Sequence, residues 1–193
     1  MRKILFFSNN NNKIREINTI FKKISVTVKS PNYYGINYEP KEVGLSFAEN
    51  AKIKSFFGYK KIKIPCFADD SGICIEAMGG GPGIYSKNFL NKFKNKKKCF
   101  EYIFQRINKT GINKAYFKTA ICLTLKENYH IVFEGRVDGY ISSYKLGDKG
   151  FGYDPIFIPD GYKNSFGQMS QRQKNLISHR SIAINKLINF LSI

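Results

Sequence analysis

Two β-rich stretches, Ala115–Lys126 and His130–Ile141, are separated only by Glu127-Asn128-Tyr129. A connection that short joins neighbouring strands only as an antiparallel pair, because parallel partners need a crossover of about a dozen residues or more. A long β-hairpin therefore lies late in the chain. The segments ahead of it alternate in period. Lys3–Ser8 is an apolar run that reads as a buried strand, and Ile14, Ile17, Ile20, Phe21 and Ile24 recur at helical spacing. Ser25–Lys29 alternates as a second strand. Ser46, with Glu49 three residues on, reads as a capping box for a helix carrying Phe47, Ala51, Ile53 and Phe57 and ending near Gly58. Pro65 precedes a short strand, Cys66–Ala68; Asp69-Asp70-Ser71-Gly72 reads as a turn, and Ile73–Ile75 is extended again. Phe100, Ile103, Phe104 and Ile107 mark another helix, and Ser178 opens a last one with Ile182, Ile184, Leu187, Ile188 and Leu191. Helices alternating with strands, then a hairpin, predict an α/β fold whose sheet is mixed rather than purely parallel. With neither repeat nor linker, residues 1–193 read as a single domain, or one domain with two lobes.

The formal net charge of +18 admits two readings. One is a nucleic-acid partner. The other is a background rich in Lys, Asn and Ile, in which the densest cluster, five lysines within residues 92–98, is a solvated face. Cys66, Cys74, Cys99 and Cys122 are widely spaced among apolar neighbours, with no Cys-x-x-Cys or Cys/His cluster, so reduced buried thiols are expected and a zinc site is not. No segment approaches the roughly 18–20 apolar residues of a membrane span. The apolar run after Met1-Arg2-Lys3 is too short for a signal peptide, so a cytoplasmic location is expected.

Only 14 residues are acidic, so the adjacent pair Asp69-Asp70, following Cys66-Phe67-Ala68, is informative. Two carboxylates at a strand end repel each other unless something neutralises them. A hard divalent cation such as magnesium does so through oxygen ligands. Alternatively, Asp70 caps backbone N–H groups in an Asx-turn. Glu42, in the loop before the 46–57 helix, is either a solvated acid or a further ligand.

Ser8, Asn9, Asn10, Asn11, Asn12 and Lys13 join the first strand to the first helix. Free N–H groups at such a junction bind anions, and Lys13 adds charge. Lys54, on the second helix, is either a surface lysine or a further cation for phosphate. Gly150-Phe151-Gly152-Tyr153-Asp154-Pro155 combines glycine freedom, two aromatic rings and an acid. It is either a core turn or a platform on which Phe151 or Tyr153 stacks on a base while Asp154 accepts hydrogen bonds. Lys174 lies just before Ser178-His179-Arg180. His179 and Arg180 either cap the helix or pair locally, or they form a donor cluster that would favour a 6-oxopurine, which presents an acceptor, over adenine, which presents a donor.

Taken together and in order, these segments resemble the inosine/xanthosine triphosphate pyrophosphatases. The resemblance is carried by Ser8–Lys13 followed by Ile14-Arg15-Glu16, by Ser46-Phe47-Ala48-Glu49-Asn50-Ala51 with Lys54, and by Ala68-Asp69-Asp70-Ser71-Gly72 with Gly80-Gly81-Pro82-Gly83-Ile84-Tyr85-Ser86. It continues in Glu134-Gly135 with Gly139, in Gly150–Pro155 and in Lys174–Arg180. It implies an elongated, twisted mixed sheet with flanking helices, two lobes around a central cleft, and a homodimer. It implies cleavage of a nucleoside triphosphate between its α- and β-phosphates, with Mg2+ as cofactor. By the same resemblance Asp70 is the general base, and Glu42, Asp69 and Asp70 hold the metal. Ser8, Asn10, Lys13, Lys54 and Ser71 contact phosphates; Phe151, Asp154, Lys174, His179 and Arg180 hold base and sugar. Asn9 stands where this family usually carries Gly; Asn tolerates positive φ, so the turn is expected to survive. Lys87-Asn88-Phe89 also departs from the usual pattern. A Maf-type pyrophosphatase of other base preference, or a basic nucleic-acid-binding module, is the rival reading. The second leaves Asp69-Asp70 and Glu42 unexplained.

Overall fold

The computed structural model describes residues 2–21 and 26–192. Ile24 and Ser25, at the edges of two expected elements, lie outside the described residues. Six strands form one sheet in the order β2-β1-β3-β4-β5-β6. They are β1 (Arg2–Phe6), β2 (Val26–Lys29), β3 (Cys66–Ile75), β4 (Lys114–Lys126), β5 (Tyr129–Ile141) and β6 (Phe157–Pro159). β1 is parallel to β2 and β3, with Ile4 opposite Val28 and Leu5 opposite Cys66. β5 and β6 are antiparallel, with Tyr140 opposite Ile158. β4 and β5 are neighbours joined through Glu127-Asn128, the expected hairpin. The sheet is mixed and the class is α/β.

Contacts divide the chain into two compact units, Met1–Asp70 with Thr119–Gly135 and Arg180–Ile193, and Ser71–Lys118 with Arg136–His179. In the first, β1 is buried on both faces. Ile4 and Phe6 meet Ile17, Ile20 and Phe21 of α1 (Asn11–Phe21) and Ala183, Ile184 and Leu187 of α6 (His179–Leu191). Leu5 and Phe7 join Cys66 and Ala68 in a separate cluster, against which Phe57 and Ile62 of α2 (Phe47–Ile62) pack. Two-sided burial is why β1 reads as an unbroken apolar run rather than an alternating one. The second unit packs Ile73, Ile75, Phe117, Ile141 and Phe157 against Cys99, Phe100 and Ile103 of α4 (Lys96–Thr110). All four cysteines are buried free thiols. Lys92, Lys94, Lys96, Lys97 and Lys98 are all exposed. No helix among the described residues is long and apolar enough to cross a membrane.

Several local expectations are corrected. α2 does not end near Gly58 but continues to Ile62, capped by Lys63 at φ 60°. Gly58 is there because the helix crosses close to the sheet: a Cβ at this position would lie 2.6 Å from Cys66 Sγ and 2.7 Å from Phe7 Cδ2. Gly58→Ala is expected to destabilise the protein by about 1–3 kcal/mol in urea unfolding, even though alanine favours helix by about 1 kcal/mol. A stabilised variant would mean that the contact relaxes freely. Ser46 caps α2 by accepting from Glu49 N (3.2 Å), but the Glu49 carboxylate accepts from Leu45 N (2.6 Å), one residue outside the expected box. Two short helices were not anticipated, α3 (Ser86–Asn91) and α5 (Gln171–Ile177). Neither is long enough to display a helical period, although α5 carries a complete Ser170/Gln173 capping box.

Candidate active site

β3 runs unbroken through Asp69-Asp70-Ser71-Gly72, so the acidic pair lies in a strand and not in a turn. Gly72 makes this possible. The Gly83 carbonyl and Ser86 Oγ press against it, and a Cβ would sit 2.1 Å and 2.5 Å from them. Ser86 Oγ in turn accepts from Ile73 N (2.9 Å) and donates to Gly83 O (2.6 Å), fastening the strand to the glycine-rich loop. An extended strand sends successive side chains to opposite faces, so the two carboxylates need not share one partner. Asp69 Oδ2 takes Lys13 Nζ at 2.9 Å and Arg180 Nε at 3.2 Å. Asp70 faces Lys54 Nζ at 3.7 Å and accepts from Asn50 Nδ2 at 3.3 Å. The expected clash is thus relieved by the pleat and by three cations of the chain itself.

Lys54 is buried, not a surface lysine, and its ammonium also pairs with Glu42 Oε1 at 2.6 Å. Asn50 ties the loop down, because its Oδ1 accepts from Gly44 N at 2.8 Å. Arg180 is buried and extends a second nitrogen, Nη1, to Glu16 Oε2. Burial pushes the Asp70 carboxyl above the ordinary carboxylate range, against the pull of Lys54 and Lys13. Burial lowers Lys13, and Asp69 offsets this only in part. For Lys54, burial is outweighed by Asp70, Asp69 and Glu42, which hold the ammonium above its usual value. For Arg180, burial is outweighed in the same way by Glu16 and Asp69.

The Ser8–Lys13 junction is pre-formed around Asn10. Its Oδ1 accepts from Asn12 N (3.0 Å) and Lys13 N (3.2 Å), capping α1, and Ser8 Oγ accepts from Asn10 N (3.2 Å). Asn11 and Asn12 are exposed first-turn residues of α1. Asn9 donates its N–H to Glu39 Oε1 at 2.8 Å. It does not adopt the expected positive φ; among the described residues Lys63 is the only non-glycine that does. The turn closes without a left-handed residue at Asn9.

In the second unit Gly150 (φ 72°) and Gly152 (φ 61°) bend the chain so that Asp154 Oδ2 accepts both Phe151 N and Lys174 Nζ at 2.7 Å. Lys174 Nζ lies 4.7 Å over the half-buried Phe151 ring. Tyr153 is a core residue whose phenol donates to Ser86 O at 2.8 Å. The His179 ring stacks on Phe117, with centroids 4.7 Å apart and planes 7° from parallel. Ser71 is half-buried in β3. His130, in the hairpin, places Nδ1 3.1 Å from Thr124 Oγ1. Each unit therefore brings together one set: Lys13, Glu42, Lys54, Asp69, Asp70 and Arg180 in the first, and Phe151, Asp154 and Lys174 in the second.

A profile of the Ham1 family matches residues 4–190. The chain belongs to the Ham1 family. It is 38% identical over 190 residues to the dITP/XTP pyrophosphatase of Christiangramia forsetii, covering 98% of this chain and 99% of that one. Among solved structures it is similar to a HAM1 protein from Coxiella burnetii, with TM-score 0.91, 28% identity, and 100% and 99% of the two chains covered. It is also similar to the Staphylococcus aureus Ham1 protein, with TM-score 0.85, 34% identity, and 99% and 98% covered.

Two residues of this Ham1-family site, Glu16 and Asn50, stand in the motifs read from sequence, but no role was expected of either. Their signal was present. Glu16 is an acid beside Ile17 on the apolar stripe of an amphipathic helix, and Asn50 lies one residue before Ala51 on the buried side of α2. Buried polar side chains are held by partners, and a polar residue on a buried stripe announces one.

Proposed function

We propose that this chain hydrolyses deaminated purine nucleoside triphosphates, ITP, dITP and XTP, to the monophosphate and pyrophosphate. The observation that carries the proposal is a buried carboxylate, Asp70, with a raised pKa, beside Lys54 and Asn50. It occurs in a chain that aligns almost end to end with a dITP/XTP pyrophosphatase. A carboxyl raised in this way is, in its ionised form, a better proton acceptor than an ordinary one, which suits a general base.

Asp70 takes the proton of a water that attacks phosphorus in line as the α–β anhydride breaks. Lys13 and Lys54 offset the charge that develops on the phosphate oxygens. Ser8, Asn10 and Ser71 contact phosphates, together with the exposed first turn of α1. Phe151, Asp154, Lys174, His179 and Arg180 hold base and sugar.

Among the described residues no group of three or more His, Cys, Asp or Glu side chains is assembled as for a metal ion. Two of the candidate ligands instead share an ammonium, Lys54 Nζ at 2.6 Å from Glu42 and 3.7 Å from Asp70. That is a cation held between hard oxygen donors, and the all-carboxylate set of Glu42, Asp69 and Asp70 fits Mg2+. Bound there, Mg2+ would neutralise phosphate charge and polarise the attacking water. The homodimer belongs to the same proposal, and sedimentation of the purified chain checks it.

The test is product analysis with ITP, XTP, ATP and GTP, with and without Mg2+. Magnesium-dependent pyrophosphate and monophosphate, fastest from ITP or XTP, is the expected result. Inorganic phosphate instead would mean that a different bond is cut. No release from any of the four would sink the proposal.

A further inference from the structure

Five backbone N–H groups in and beside the Ser8–Lys13 junction find acceptors close by in the chain. Ser8 N donates to Phe6 O at 3.1 Å and Ile14 N to Asn10 O at 3.0 Å. Asn10 N donates to Ser8 Oγ at 3.2 Å, and Asn12 N and Lys13 N donate to Asn10 Oδ1 at 3.0 Å and 3.2 Å. Asn9 N is different. It donates to Glu39 Oε1, 30 residues on, at 2.8 Å. Of these acceptors Glu39 alone carries a charge, and it alone belongs to a distant segment.

Glu39 is exposed and lies in a stretch without regular secondary structure, residues 36–44 of the first unit. That stretch is held at other points. Ile36 is buried, the Tyr38 ring meets Phe57 of α2 edge-on with centroids 5.6 Å apart, and Gly44 N donates to Asn50 Oδ1. The Glu39 side chain can therefore turn away about its own bonds while the backbone stays in place. The same stretch sets Glu42 on Lys54 Nζ, at 2.6 Å. A donor of the junction and a lysine assigned to phosphate thus both face carboxylates of one segment.

A carboxylate on a backbone N–H is a charge-assisted hydrogen bond, the kind a phosphate oxygen makes with such a donor. Two anions on one N–H would repel each other, so one must leave before the other binds. We propose that Glu39 is an internal competitor for phosphate at the Ser8–Lys13 junction, exchanged for a phosphate oxygen on Asn9 N when the triphosphate chain enters. An incoming polyphosphate then binds only the fraction of molecules in which Glu39 has turned away, and its affinity is lowered by that fraction. Pyrophosphate held at the same donor incurs the same loss, which favours its departure. The role in turnover rests on the pyrophosphatase reading; the exchange itself needs only a polyphosphate.

Calorimetric titration of the metal-free, full-length protein with inorganic tripolyphosphate tests the exchange, on wild type, Glu39→Ala and Glu39→Asp. Alanine removes both charge and acceptor. Aspartate keeps the charge but is one methylene shorter, which withdraws the acceptor from Asn9 N. Binding is expected to tighten at least about tenfold in Glu39→Ala and at least about threefold in Glu39→Asp, the scale of one hydrogen bond to a charged group. A gain with alanine and none with aspartate would mean that the charge acts only at a distance, and would overturn the proposal. Weaker binding by Glu39→Ala would overturn it too, since Glu39 would then be holding the junction in shape. Should Glu39→Ala not fold, the aspartate variant decides alone, tighter binding supporting the exchange and unchanged binding overturning it. No binding of tripolyphosphate by any of the three overturns it whatever the turnover. If wild type releases no pyrophosphate from ITP while the variants follow the expected order, the functional reading fails and the competitor stands.

Discussion

Asp70→Asn is expected to lower turnover of ITP by roughly a hundredfold or more, the scale of a positioned general base, without lowering the thermal midpoint of the metal-free protein. The two halves of this result have one cause. Burial raises the Asp70 carboxyl, so the folded chain holds that proton more tightly than the unfolded chain does. For a carboxyl raised in this direction, stability falls as pH rises from the ordinary carboxylate value through the raised one, and above that window the ionised group is a burden on the fold. Asparagine removes the charge while keeping an oxygen for Asn50 Nδ2, and Lys54 keeps Glu42 as its partner. Activity should fall for the same reason as pH drops through the raised value, which lies above that of an ordinary carboxylate. Thermal unfolding and initial rates on one preparation check both halves. A fully active Asp70→Asn would remove Asp70 from the role, and a lowered midpoint would mean that its pairing with Lys54 outweighs its burial.

Gly72→Ala is expected to be the most damaging small substitution in β3. A Cβ there would lie 2.1 Å from the Gly83 carbonyl oxygen and 2.5 Å from Ser86 Oγ. The first of these is backbone, already bound by Ser86 Oγ at 2.6 Å, and cannot swing aside as a side chain does. Relief requires the strand and the glycine-rich loop to part, which loosens the segment that carries Asp69 and Asp70. A loss of about 3 kcal/mol or more is expected, at the upper end of overpacking costs. For a chain of this size that corresponds to roughly 6–12 °C in Tm. Gly79 is the control. It has φ 62°, and a methyl group there would meet nothing within 4 Å, so alanine incurs only the left-handed backbone cost of about 1–2 kcal/mol. Equal losses at the two positions would show that the Gly83 contact relaxes at little cost, since Gly72 is not among the positive-φ glycines.

Much of this was legible along the chain. The three-residue gap between two β-rich runs required a hairpin, and it is there as β4 and β5. Apolar spacing located α1, α4 and α6, and Ser46 was identified as the cap of α2. The acidic pair, Glu42, Lys13 and Lys54 were singled out by residue type and order, and the structure gathers them in one unit. Local chemistry could do this because caps, periods and turn glycines act over a few residues. What failed were inferences needing knowledge of what packs alongside. Gly58 read as a helix end because a glycine exposed to solvent would be one; it is an interior residue because Cys66 and Phe7 lie against it. Asp69–Gly72 read as a turn from its composition, yet it is strand, because β3 is fastened to the Gly83–Ser86 segment.

The amino-acid sequence by itself determined the class of fold, the family pattern and the residue types available for phosphate, metal and base. Only the tertiary structure decided the partners. Asp69 and Asp70 are adjacent in sequence, yet their ion-pair contacts are to different cations, Lys13 and Arg180 for one and Lys54 for the other. Arg180 reaches back to Glu16 on the first helix. A charge taken out of water is stable only beside its counter-charge. Which counter-charge that is depends on chain segments far apart in sequence meeting in the fold, and no local pattern encodes that meeting.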